Sequence, residues 1–317
     1  MESRRRALAH RVGVLLATGP AGTDLDLRIA RAHATILLPA GPAVRVPAPA
    51  AILATMLRHL RLLGMFARVS VQNDAAYRLD FLLKVGFALL HLASELMGVW
   101  VIYSNTPALN GWGVWEALTL LGVYRAMVGA IRIFVAPNMR QTMDDIRTGS
   151  LDYVLLRPVG SQFLASCRRI VLLEVLDVVL GIGLAAFAAG RLTGRLPIER
   201  VALFVLMLTL AIVMVYSVWL ALATLSFWFT KVANIEMVFW NVFEVARYPV
   251  AIYPPPLRWL FTYAVPVAFI TSVPAQSFFG QVPFTAVLTA CVLAPATVLA
   301  ASLFWGYGVR HYSGASA

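Results

Sequence analysis

The chain has 317 residues, is 60% hydrophobic and only 13% charged, and carries a formal net charge of +11 at a mean hydropathy of +0.79. Soluble domains carry roughly 25% charged residues, so this composition excludes an ordinary soluble protein and points to a polytopic membrane protein. Lys84 and Lys231 are the only lysines beside 24 arginines, a usage that with the alanine richness fits a high-GC bacterial genome. The arginines are scattered and sit in no nucleic-acid-binding motif, so nucleic acid is a poor partner. Topology and anionic lipid headgroups are the first reading of the charge. Cys167 and Cys291 lie in or near separate apolar runs, and the five histidines (10, 33, 59, 91, 311) have no ligand spacing. Neither a disulfide framework nor a metal site is expected.

Residues 1–50, with Arg4-Arg5-Arg6 and "PAGPAVRVPAPA", show no sustained period and are expected to be poorly ordered. "VGVLLA" is short for a secretory signal. A start codon placed too far upstream fits equally well, with Met56 or Met65 as later starts. Residues 51–317 read as one transmembrane domain. Over 52–69, Leu53, Met56, Leu57, Leu60, Leu63 and Ala67 share one helical face, and Arg58, Arg61 and Arg68 another. Such a helix lies in the membrane interface. Apolar runs then predict span one at about 81–104, two at 113–136, three at 170–189, four at 201–229 and five at 235–248.

Residues 259–309 hold no Asp, Glu, Lys, Arg or His. As one helix these 51 residues would run roughly 76 Å, against a hydrocarbon core of about 30 Å. The run must therefore turn back, with breaks at Pro266, Pro274 and Pro283. Either two full spans follow, or a re-entrant element precedes a span at 283–309. Arginine counts of eleven in 1–80 and five in 137–169 place both flanks in the cytoplasm. Loop 190–200, with Arg191, Arg195 and Arg200, falls outside by span parity; the N-terminal flank outweighs its charge.

Between spans two and three lies "DDIRTGSLDYVLLRPVG", a charged stretch in an oily chain. Pro137 suits the first turn of a helix and Gly149 its stop. Met139, Met143 and Ile146 share one face, and Arg140, Asp144 and Arg147 line another. Ser150 is placed to cap a second short helix, "LDYVLL", which ends before Arg157-Pro158. The stretch is either an interfacial loop snorkelling its arginines or a docking surface for a soluble partner.

"IRTGSLDYVLLRPV" resembles the signature after span two in a bacterial subgroup of ABC-2 type transporter permeases. "ARYPVAIYPPPLRWLFTYAVPVAFITSVPA" resembles that subgroup's second signature. The likeness runs in order over about residues 53–310. It implies an exporter membrane subunit of the bacterial inner membrane, an all-α membrane protein with six spans and both termini cytoplasmic. It implies an interfacial helix at 52–69 and a coupling helix at about 138–156, seated in a cleft of an ATPase subunit. Met143, Asp144, Ile146, Arg147, Leu151, Asp152, Tyr153, Leu156, Arg157 and Pro158 are then the coupling residues. It implies a re-entrant element on the outer side at about 254–281, with Arg247, Tyr248 and Pro249 in an outer turn before it and Pro266 and Pro274 within it. It further implies two ABC ATPase subunits and a second permease copy or a sister permease. No G-x-x-x-x-G-K-[ST] occurs, so ATP and Mg are expected on the partner ATPase, and no cofactor or catalytic residue is expected in this chain.

Ionisable groups at membrane depth are functional candidates by default. Counting depth from the cytoplasmic end brings Arg132 to Glu174, and Arg125 to Glu95 or Asp177, with His91 nearby. These pairs either fix helix packing, the favoured reading, or form a polar track in a translocation route. Trp240 and other aromatics face lipid or neighbouring helices more often than a substrate path. The alternative function is an ion-coupled secondary transporter using Glu95, Asp177 and His91, although no internal repeat is evident. A lipid-modifying enzyme would need a clustered catalytic set, which the sequence lacks. The substrate is not legible.

Overall fold

The computed structural model describes residues 78–157, 159–194, 196–229, 233–264 and 267–312. The extension 1–50, the amphipathic helix expected over 52–69, Pro158 and Pro266 lie outside the described residues. The described residues are helical and contain no strand. The helices are α1 (Arg78–Asn105), α2 (Val114–Ala130), α3 (Ala136–Thr148), α4 (Asp152–Leu155), α5 (Ser161–Cys167), α6 (Val175–Thr193), α7 (Ile198–Leu225), α8 (Ala233–Glu244), α9 (Pro255–Trp259), α10 (Val273–Phe279) and α11 (Phe284–His311).

Among the described residues, five segments are long and apolar enough to cross a membrane: Phe81–Asn105, Val114–Thr148, Leu172–Thr193, Ile198–Leu225 and Phe284–His311. The fifth span expected at 235–248 is shorter than a spanning helix. Helix α8 has 12 residues, or about 18 Å against a core of about 30 Å. A 3-10 turn at Val245–Arg247 ends it.

Helix α2 is the centre of the bundle. Of its most apolar window 72% is buried, against 11% for α1. It packs most extensively on α6, where glycines let the backbones meet. A methyl added at Gly122 would lie 2.5 Å from the Ala185 amide nitrogen and 2.6 Å from the Gly181 carbonyl oxygen. Close approach of small residues is the usual means of joining helices that lipid cannot drive together. A second seam joins α7 to α11, where a methyl at Gly308 would meet the Phe227 ring at 2.5 Å.

Pro137 stands in the first turn of α3, as its position in the sequence predicts, yet no gap separates that helix from α2. The chain runs from α2 into α3 through a π-turn at Ile131–Val135. Proline lacks the N–H that would bond the carbonyl four residues back, and its ring crowds that carbonyl. The wider turn relieves the crowding, as π-bulges do at such sites. The freed Ile133 carbonyl instead accepts the Val171 N–H at 3.0 Å. The Asn138 amide bonds both backbone groups of Arg169, donating to its carbonyl at 2.7 Å and accepting its N–H at 2.8 Å. The break that proline imposes is thus where the returning chain is attached. Gly149 ends α3 with φ 78°, as its position in the sequence predicts. Ser150 caps nothing: its hydroxyl turns back to Asp145 Oδ1 at 3.1 Å.

The segment after α8 folds onto neighbouring elements at both ends. Ala251 offers its carbonyl to Asn110 in the α1–α2 loop and to Arg258 Nη2 at 2.6 Å. Further on, Thr271 donates to the Ala246 carbonyl at 2.9 Å. Arg200, at the start of α7, then donates to the Phe278 carbonyl at 3.2 Å.

Candidate functional site

Two places on the molecule gather charge. The first is a cavity of about 360 Å³ between α1, α2, α6 and α8. On α1, Lys84, Ala88, His91 and Glu95 fall on one stripe at helical spacing and line it. Opposite stand Tyr124, Arg125, Val128 and Arg132 from α2 and the π-turn, Asp177 from α6, Trp240, Asn241 and Glu244 from α8, and Arg247.

Arg125 is its hub and is only 4% exposed. It donates to Glu95 Oε2 at 2.7 Å, to Asp177 Oδ1 at 2.8 Å and to the Ala88 carbonyl at 2.7 Å. Both carboxylates open to it by depth counting are therefore taken at once. A buried guanidinium shared between two carboxylates and a carbonyl has most of its desolvation offset. His91 Nδ1 lies 3.3 Å from Arg125 Nη1 and 3.3 Å from Glu95 Oε1.

The expected Arg132–Glu174 pair does not form. Lys84 takes Glu174 instead, at 2.6 Å, and lies 3.9 Å from Asp177. Arg132, in the π-turn, stacks over the Trp240 ring at 5.4 Å. Depth along a helix says nothing of the direction around its axis, and that direction decides the partner here. Arg247 pairs with Glu244, three residues before it, as that spacing on one helical face suggests. It turns into the cavity, 3.1 Å from Glu244 and 3.9 Å from Glu95, with its guanidinium 5.6 Å from the Tyr124 ring centre. Its neighbours Tyr248 and Pro249 line a smaller hollow of about 70 Å³ against α1 and α2. Pro274 is buried in the first turn of α10.

The second place is the elbow of α3, α4 and α5. Met139, Ile146, Leu151, Val154 and Leu164 form its buried core. Ile146 and Leu151, expected on a docking face, therefore support that face from beneath. Met143 and Asp152 are half-buried, whereas Asp144, Arg147, Tyr153, Leu156 and Arg157 are exposed. Tyr153 and Leu156 stand out at 73% and 82% exposure. The elbow is held shut by Asp145, which accepts from Arg168 at 2.5 Å and from Gln141 at 2.9 Å. Thr142 donates across to the Ala165 carbonyl at 3.1 Å. Burial pushes the Cys167 thiol up to about 11. Burial first, and then the Asp152 and Asp145 carboxylates, push the Tyr312 hydroxyl up, so the end of the α11 segment lies near the elbow.

Sequence reading missed Lys84, Asn138, Asp145 and Arg168, and left Trp240 among residues of no special role. The helical stripe on α1 carried a signal for Lys84, spaced as it is from Ala88, His91 and Glu95. Nothing in the sequence brings Asp145 to Arg168.

A helical bundle with a charged cavity between α1, α2, α6 and α8 and a clasped elbow fits a transport protein's membrane part. No curated protein matches the chain. The model of the ABC-2 family transporter protein matches residues 89–316, more than half of the chain and the cavity-lining residues from His91 onward. The chain is therefore a multi-pass membrane permease belonging to the ABC-2 transporter family.

Proposed function

We propose that this chain is the permease subunit of an ATP-driven ABC-2 exporter in a bacterial inner membrane. It forms the translocation path and is driven by two separate cytoplasmic ATPase subunits, which bind ATP and Mg. A second copy of the chain, or a sister permease, completes the path. In this reading residues 51–317 form the transmembrane domain, crossing six times with both termini cytoplasmic. The fifth crossing combines α8, its 3-10 turn and the chain on to the second 3-10 turn at Val250–Ile252. Support comes from the bonds of Ala251 to the α1–α2 loop and to Arg258. The stretch 254–281 then enters and leaves on the outer side, a reading supported by its contacts with Ala246 midway and Arg200 at its end.

The observation that carries the reading is the exposed edge of the elbow. Asp144, Arg147, Tyr153, Leu156 and Arg157 set large apolar side chains among charges, as interface cores with polar rims do. The edge is rigidly clasped, and α3 continues without a gap into α2, which carries Arg125. A push at Leu156 is thereby transmitted to the cavity. Such a push requires contacts that differ between the ATPase states.

Co-expression with the cognate ATPase tests this. Tyr153→Ala with Leu156→Ala should cut co-purification of the ATPase by roughly thirtyfold, the loss of an interface hot spot, and uncouple hydrolysis from transport. Unchanged co-purification and transport in this variant would remove the elbow from the mechanism. The ion-coupled alternative draws on the buried Glu95–Arg125–Asp177 cluster. It requires that transport in vesicles persist without ATP under a proton gradient.

A further inference from the structure

The charges of the cavity do not cancel locally. Its walls hold Lys84, Arg125, Arg132 and Arg247. Four carboxylates face them: Glu95, Asp177 and Glu244, with Glu174 behind Lys84. Because Arg125 occupies both Glu95 and Asp177, Lys84 takes Glu174 and Arg247 takes Glu244, Arg132 is left over. None of Glu95, Glu174, Asp177 and Glu244 pairs with it, and it is exposed.

The surroundings of Arg132 are nonetheless built. Its guanidinium lies 5.4 Å from the centre of the Trp240 ring. The indole N–H of Trp240 donates to Glu236 Oε1 at 3.2 Å, and Arg140 pairs with the same oxygen. The ring is thus fixed from behind, and the Glu236 carboxylate is already engaged. Seven residues, about 10 Å of helix, separate Arg132 from Arg125 toward the elbow end. Phe87, Ala88 and Val128 give the cavity apolar wall beside this charge. A flat guanidinium backed by an aromatic ring keeps its donors in one plane, a geometry that matches the two oxygens of a carboxylate or phosphate.

We propose that the elbow end of this cavity is a subsite for the anionic head of an amphiphile, with Arg132 binding a carboxylate or phosphate and Trp240 forming the adjoining wall. The volume of about 360 Å³ is at the small end for ligand pockets. It accommodates a head and the first part of a chain rather than a whole lipid. A cationic head at the elbow end would meet the Arg132 guanidinium, which none of Glu95, Glu174, Asp177 and Glu244 offsets. That the ligand is exported cargo rests on the permease reading; that it binds here does not.

The test uses the full chain in nanodiscs of zwitterionic phosphatidylcholine. Dodecyl phosphate and dodecyltrimethylammonium, equal in tail and opposite in charge, are the probes. Wild type should bind the phosphate roughly ten- to a hundredfold more tightly, the range of one charge-assisted contact. Arg132→Gln should abolish this preference while the protein stays monodisperse. Arg132→Lys should keep part of it, since lysine supplies the charge without the planar fork. Equal binding of the two probes by wild type, or a preference that survives in Arg132→Gln, overturns the proposal.

Phosphatidylglycerol in the discs separates the sources of the anion. Displacement of the probe makes a bilayer headgroup the occupant. Displacement by free dodecanoate but not by the lipid makes it a soluble amphiphile. Binding is read without ATP or ATPase. Unchanged ATPase co-purification and transport in the Tyr153→Ala, Leu156→Ala variant, with the phosphate preference intact, therefore sink the permease reading alone.

Discussion

Helices α1 and α6 both pack against α2, but by different physics. The α6 contact is one of shape: Gly122 and Gly181 bring backbone onto backbone, and any added atom collides. The α1 contact is largely one of charge. Its outer faces show Leu82, Leu90, Met97 and Trp100 exposed. Its inner stripe is held through Glu95 to Arg125 and through Lys84 to Glu174. Shape-fitted helices move as one body, because interdigitated backbones have no second arrangement of similar energy. Ion pairs can change partners at little cost when another partner stands within reach. Lys84 already lies 3.9 Å from Asp177, and Arg247 lies 3.9 Å from Glu95. The difference predicts that α2 and α6 hold together as one unit while α1, with the end of α8, can shift against it.

The largest effect should come from breaking the shape contact. Gly181→Val places a branched side chain against the Gly122 carbonyl and the Ala126 backbone. Overpacking costs about 1–3 kcal/mol even where side chains can yield, and here the obstacle is backbone. Little folded protein should be recovered in a solubilised, size-fractionated membrane extract. A normal yield would show that the pair is not rigid. Next comes the charge contact at its hub. Arg125→Gln removes the closest cation of the buried Glu95 and Asp177, leaving them Lys84 and Arg247 at 3.9 Å, and should destabilise the fold by about 3 kcal/mol. Thermal unfolding in detergent would measure this, and Arg125→Lys should recover part of it. The smallest effect belongs to Lys84→Gln. The pair with Glu174 is partly exposed, with side chains 25% and 15% accessible. Screening limits the loss to about 1 kcal/mol. If α1 swings, however, this variant should alter transport rate more than melting temperature. Equal changes in both would remove the distinction between welded and hinged helices.

Much of this arrangement is legible in the sequence. Apolar runs between charges locate the long helices, since a bilayer penalises interruption. Depth counting brings Arg125, Glu95 and Asp177 together, because buried charges must find partners at their own level. The same counting fails for Arg132 and Glu174. A competitor at equal depth, Lys84, stands at the better angle, and the π-turn sets Arg132 beside Trp240. Helical periodicity separates the faces of α3, yet Ile146 and Leu151 go inward with the core. The fold of α4 and α5 back onto α3 depends on Asp145–Arg168 and Asn138–Arg169, contacts across the loop that no periodicity encodes. Proline at 137 reads as a start because, without tertiary partners, a missing N–H signals an end. The Val171 amide supplies the partner that lets the helix continue.

The order in which Arg125 meets its carboxylates bears on how the chain is made. Glu95 precedes it by 30 residues and Asp177 follows it by 52. A lone arginine at the middle of a helix costs about 2.5–3.5 kcal/mol to deliver into the bilayer. During synthesis α1 and α2 can leave the translocon as a hairpin whose arginine and glutamate are already neutralised against each other. Asp177 emerges later, into a bilayer that already holds its counter-ion, so the first two helices prepare the insertion of the third.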